Sequence, residues 1–253
     1  MSDDVNAPVL QLRVQAEDSS EAAPSLAEVE LLATMVKRRF WLDLDMQSVR
    51  ETLIANEYGE QLVSRFWPSR PTNLAGAWEG LLKTVISVQI YPGLAQRLQR
   101  SLLELYGQRV YFDGKEYHLF PTAEKLVTLT PDELLTMKFS KQKARYLPGI
   151  AEMVLANSTK YDWERLHHAP GAEAVAALDD LPGVGEWTAS YCAMRALPHL
   201  DVMTKEEGLR KTLASAYDHR ATLSVAETEK LMEIFAPYRS IACYYTYMLM
   251  YNV

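Results

Sequence analysis

The sequence predicts an all-α protein. Nine segments place apolar residues at three- and four-residue spacing, the period of one helix face. Proline or glycine punctuates many of their joints, as at Pro92, Gly107 and Pro198. Against these stands one persuasive strand, VLQLRV (9–14), alternating apolar and polar after Pro8. A lone strand has nothing to pair with, so it reads as a remnant of a larger sheet or an ordered arm.

The helices follow in order. SLAEVELLATMVKRRFW (25–41) opens on Ser25, a favoured N-cap, after the linker-like SSEAAPS (19–25). MQSVRETLIA (46–55), AWEGLLKTVISVQI (77–90) and GLAQRLQRSLLELYG (93–107) repeat the pattern. So do SKQKARYLPGIAEMVLAN (140–157), EWTASYCAMRAL (186–197), GLRKTLASAY (208–217), VAETEKLMEIF (225–235) and RSIACYYTYMLMYN (239–252). Residues 1–24 are expected to be an N-terminal arm, and 25–253 a helical body long enough for one large domain or two lobes sharing a cleft.

Composition narrows the class. At 48% hydrophobic and 23% charged the chain reads as an ordinary soluble protein. No apolar run approaches the roughly 18 residues needed to span a bilayer. MSDDVNAPV is acidic and lacks the basic and apolar regions of a secretory signal, so the expectation is a cytoplasmic protein without a membrane partner. Cys192 and Cys243 form no C-x-x-C pair, and the adjacent His167 and His168 would diverge on a helix, which argues against a metal site built from side chains. The net charge of −7 sits entirely in residues 1–60, which hold 12 acids against 5 bases; the remaining 21 acids and 21 bases cancel. A neutral body can carry a basic face, so nucleic acid is not excluded.

Two stretches carry chemistry. In LDDLPGVGEWTASY (178–191), two glycines punctuate a turn that opens a helix, leaving main-chain amides unshielded by Cβ and able to approach a phosphate. The plainer alternative is an αα-turn. Trp187 and Tyr191 lie four residues apart and share a helix face. In DVMTKEEGLRK (201–211), Thr204 and Glu207 have the S/T-x-x-E spacing of a capping box, and the Glu206–Glu207 pair could equally supply a catalytic carboxylate.

These motifs, with 77–90, 120–154, 181–197 and 236–249 in order, resemble the helix-hairpin-helix DNA glycosylases, in particular the 3-methyladenine DNA glycosylase II branch. The resemblance runs from about residue 35 to the C-terminus, implies that 25–253 forms two interleaved helical lobes with a DNA cleft between them, and makes residues 173–197 the hairpin unit. It implies a monomer that grips double-stranded DNA with Pro182, Gly183, Val184 and Gly185 and excises alkylated purines in base excision repair. Such a protein would be nucleoid-associated when bound to DNA in a prokaryote. Gln89 takes the position of the wedge that fills the gap left by the flipped base, with Val88 before it. Trp187, Tyr191 and Tyr247 take positions in the base pocket. No cofactor is implied beyond Na+ or K+ on the main-chain carbonyls of Asp179, Leu181 and Val184. Where lyase relatives carry a nucleophilic lysine, this chain has Trp187, which implies hydrolysis; Lys205, near the acidic pair, is the one local candidate for a replacement nucleophile. The family's catalytic aspartate is replaced by Glu207, counting from Tyr191, or by Glu206, counting from Gly208 and Leu209; Glu207 is the preferred counterpart, with Asp201 a weaker candidate. Two alternatives stay open: a lesion-binding protein that does not cut, and a glycosylase for oxidised or deaminated bases.

Overall fold

A computed structural model describes residues 10–12, 14, 24–74, 76–217 and 221–251. In chain order the elements are α1 (Leu26–Phe40), α2 (Met46–Leu53), α3 (Glu57–Phe66), α4 (Ala77–Ser87), α5 (Pro92–Tyr106), β1 (Gln108–Phe112) and β2 (Lys115–Leu119). Then come α6 (Ala123–Leu126), α7 (Pro131–Thr136), α8 (Lys141–Ala156), α9 (Trp163–His168), α10 (Gly171–Asp179) and α11 (Glu186–Arg195). The chain closes with α12 (Glu207–Tyr217), α13 (Val225–Met232), a 3-10 turn (Glu233–Phe235) and α14 (Arg239–Tyr251). Among the described residues no helix is long and apolar enough to cross a membrane.

Val9 and Arg13 of the expected strand, and most of the 1–24 arm, lie outside the described residues; Leu10, Gln11, Leu12 and Val14 take no strand conformation. The sheet that does form lies elsewhere. β1 and β2 pair antiparallel from Gln108↔Leu119 to Phe112↔Lys115. Asp113 and Gly114 both have positive φ, 49° and 69°, as a two-residue turn matched to strand twist requires.

The chain divides into two compact units. One comprises residues 24–74 and 193–253, the other 75–192, each with the N-terminal pieces assigned to it. In the first, α14 is the central element: Ile241, Ala242, Cys243, Tyr245 and Thr246 are all buried. Tyr58 of α3 reaches it through a 2.9 Å hydrogen bond with Thr246 Oγ1 and packs 5.1 Å from the Tyr217 ring. α3 was not among the expected helices. Asn56 caps it, and Gly59 sits where any Cβ would meet the Leu53 carbonyl oxygen at 1.8 Å, so this glycine permits a helix crossing rather than breaking a helix.

In the second unit α4 buries Leu81, Leu82, Val85 and Ile86, while α8 contributes Leu147, Ile150 and Ala151. Ser140 caps α8 by accepting the Lys143 amide. Cys192 in this unit and Cys243 in the other are free and fully buried, and burial pushes both thiols up to about 12. A thiolate-directed reagent at neutral pH is therefore expected to label neither cysteine in native protein and both after denaturation. Labelling of folded protein at the rate of a free thiol would contradict the packing.

Candidate nucleic-acid interface and acid cluster

The hairpin between α10 and α11 is fixed by opposite treatment of its alternate residues. Leu181 and Val184 are 2% and 5% exposed and anchor the turn, while Gly183 and Gly185 face solvent. The Val184 amide donates to the Leu181 carbonyl at 3.0 Å, and the Ala189 amide donates to the Gly185 carbonyl at 2.9 Å to begin α11. The first amides of a helix have no intrahelical acceptor and the dipole there favours an anion. Gly183 has φ +73°, and a Cβ on it would stand 2.1 Å from the Tyr146 ring. Gly183→Ala is expected to cost about 2 kcal/mol or more, from left-handed strain plus ring displacement. Gly185→Ala, with open space around its Cβ, should cost under about 1 kcal/mol. Denaturant unfolding of both variants checks the contrast; equal losses would remove the assigned cause.

Gln89 stands beside this hairpin. α4 ends at Ser87, and two residues later Gln89 has φ 59°, an uncommon conformation for a residue with a side chain, which leaves it exposed. An open cavity of about 540 Å3 is lined by Val88, Gln89, Gln142, Lys143 and Tyr146 together with Gly183–Gly185. No candidate site residue was expected in 140–157, yet its first turns line this cavity. The signal available was the basic run KQKAR directly after the Ser140 cap.

Trp187 and Tyr191 share a face as their spacing requires. Their rings stack at 5.2 Å between centroids and 20° between planes, and both are half-buried.

The acids belong to the other unit. α12 begins at Glu207, and the Arg210 amide donates to the Glu206 carbonyl at 3.1 Å, so Glu206 occupies the cap position. The expected Thr204–Glu207 capping box does not form. Thr204 is fully buried and its hydroxyl lies 2.5 Å from the Tyr247 hydroxyl on α14, a tertiary partner that outcompetes the local one. Glu207 points outward, 66% exposed, and pairs with Lys211 at 2.7 Å. The Lys211 ammonium holds its carboxyl below the usual range. Glu206 turns inward: Oε1 is shielded from solvent, and the Tyr247 phenol donates to its carboxylate. Burial first, and the Glu206 charge second, raise the Tyr247 pKa. Tyr247, expected as a pocket wall, thus has its hydroxyl committed to Thr204 and Glu206. Lys205 pairs with Glu229 at 2.6 Å, and Asp201 is held by Arg239 through bonds of 2.6 and 2.9 Å. Among the described residues no cluster of His, Cys, Asp and Glu could hold a metal ion. Of the three carbonyls assigned to a monovalent cation, that of Leu181 already accepts the Val184 amide.

No family model matches the chain. Over 168 residues it is 29% identical to a DNA-3-methyladenine glycosylase of Bacillus subtilis (strain 168), an alignment covering 66% of this chain and 55% of that one. The structure matches a 3-methyladenine DNA glycosylase from Archaeoglobus fulgidus with a TM-score of 0.75 at 21% identity, over 90% of this chain and 77% of the other. The fold is that of the helix-hairpin-helix DNA glycosylases. A second member of that fold, the 3-methyladenine DNA glycosylase of Schizosaccharomyces pombe solved with abasic DNA, gives a TM-score of 0.64 at 21% identity, over 79% and 95% of the two chains. In sequence the chain is similar to the DNA-3-methyladenine glycosylases. It spans about half the length of the Bacillus relative.

Proposed function

We propose that the protein is a monofunctional DNA glycosylase that flips alkylated purines of the 3-methyladenine type out of duplex DNA and hydrolyses the N-glycosidic bond. The observation that carries this reading is the convergence of Gln89 and the glycine hairpin on one open cavity. An enzyme acting on a base must extrude it and fill the gap, and it needs a backbone grip beside the filler. Gln89, exposed beside the hairpin, fills that gap, and the hairpin amides grip a phosphate. The stacked Trp187–Tyr191 pair offers aromatic faces to an electron-poor, alkylated purine.

For the chemistry, the Glu206 carboxylate stabilises positive charge developing on the sugar as the C1′–N bond breaks and the base departs with the bonding pair. Water then adds its oxygen to C1′ and releases a proton to the carboxylate. Trp187 cannot act as an amine nucleophile, and Lys205 is held by Glu229, which favours water over Schiff-base chemistry. Na+ or K+ on the carbonyls of Asp179, Leu181 and Val184 would brace the hairpin, since a carbonyl oxygen has a second lone pair beyond the one an amide uses.

Base release from duplexes carrying methylated purines, hypoxanthine or 8-oxoguanine tests the reading. Release from methylated DNA without alkali-independent strand cleavage is expected. A protein that binds abasic duplex and releases nothing would be a lesion-binding module instead.

A further inference from the structure

We propose that Lys143 is a positioning residue that sets Gln89 in its inserting conformation. This rests on the reading of Gln89 as the residue that fills the gap. The last carbonyls of a helix lack intrahelical donors, and those of α4 point into the turn that carries Gln89. Lys143 Nζ donates to the Ile86 carbonyl at 2.6 Å and to the Val88 carbonyl at 2.7 Å. A single ammonium thereby clamps the residue before Gln89 and the last turn of α4, where its charge also complements the negative end of the helix dipole.

The clamp has something to hold. Gln89 carries a side chain at φ 59°, a region disfavoured without surrounding constraint. The chain entering the turn is bonded twice more: the Val88 amide donates to the Thr84 carbonyl at 3.1 Å, and Gln99 Nε2 donates to Ser87 Oγ at 3.0 Å. The base of Lys143 is itself fixed, because α8 is capped by Ser140 and buried along Ala144 and Leu147. Partial burial holds the lysine below its ordinary pKa, with desolvation as the cause. Lys143 lines the same cavity as Gln89 and the hairpin, but its ammonium is directed at carbonyl oxygens. That assigns it to shaping the turn rather than to gripping a phosphate.

The test is a double-mutant cycle on the full chain: wild type, Lys143→Met, Gln89→Ala and the double variant. Affinity is measured for a duplex containing a tetrahydrofuran abasic analogue, and hypoxanthine release is measured from duplex and from single-stranded DNA. Each single variant is expected to weaken abasic-duplex binding about ten-fold, with the double variant no worse than Gln89→Ala, since residues acting as one unit are non-additive. Release from single strands, where no partner strand leaves a gap, should be largely spared. Lys143→Arg, which keeps two donors, should recover most of the loss. Should Lys143→Met lower thermal stability enough to unfold the protein, Lys143→Gln takes its place in the cycle. Multiplicative losses in the double variant, or equal losses on duplex and single strand, overturn the assignment. A wild type that binds abasic duplex but releases no base overturns the catalytic reading alone. One that does not distinguish abasic from intact duplex overturns both.

Discussion

Glu206→Gln is expected to lower base release by about 10²- to 10³-fold, the loss typical of removing one preorganised electrostatic group, while Glu207→Gln leaves it nearly unchanged. The two neighbours differ in environment, not chemistry. Glu207 lies 66% exposed against Lys211, where water and the ammonium already screen its charge. Glu206 has an oxygen shielded from solvent and receives the Tyr247 phenol, which is itself adjacent to the Thr204 hydroxyl. A carboxylate held by a chain of hydrogen bonds in a low-dielectric setting acts on a nearby cation more strongly than a solvated one. Glutamine preserves the acceptor for Tyr247 and removes only the charge, so folding should be retained. The loss should be greater for hypoxanthine, which departs from an uncharged nucleoside, than for 7-methylguanine, whose nucleoside carries a positive charge that already weakens the bond. Tyr247→Phe should show a smaller loss in the same order. Equal sensitivity of the two glutamates in single-turnover release would remove Glu206 from its role.

The sequence makes the helices legible because their burial is one-sided and periodic, and the hairpin because its turn needs glycine at position 183. What it conceals is set by partners distant in the chain. The β1–β2 hairpin was readable locally, since Asp113–Gly114 is a strong two-residue turn signal between alternating segments, but helical expectation on either side obscured it. α3 was hidden by Gly59, whose reason is the Leu53 carbonyl. Thr204 has the spacing of a cap and instead bonds Tyr247, 43 residues later, which moves the helix start and decides which glutamate turns inward. Lys143 looks like one cation in a basic run until Ile86 and Val88, more than 50 residues earlier, are seen to receive it. Local pattern thus marked the candidate groups, and tertiary hydrogen bonds set the surroundings of each.

Trp187→Ala is expected to lower kcat/KM by about 10- to 100-fold, because stacking of a base on an aromatic side chain is worth about 1–3 kcal/mol. The ring lies against Tyr191 at 5.2 Å, both residues half-buried, so it is braced from one side while retaining surface for a ligand. A ring held entirely by core packing would show a different signature: its removal would lower stability first and alter turnover only through loss of folded protein. Trp187→Phe separates these cases. It keeps a π-face and loses the larger ring, so it should retain most of the turnover that alanine forfeits. Tyr191→Ala should resemble Trp187→Ala, and the double variant should fall short of the product of the two, since each ring orients the other. An electron-poor methylated purine should also inhibit wild type more than its neutral parent does, with the preference reduced in Trp187→Ala. Unchanged kcat/KM in Trp187→Ala at undiminished thermal stability would return the pair to packing and leave the base to be bound elsewhere.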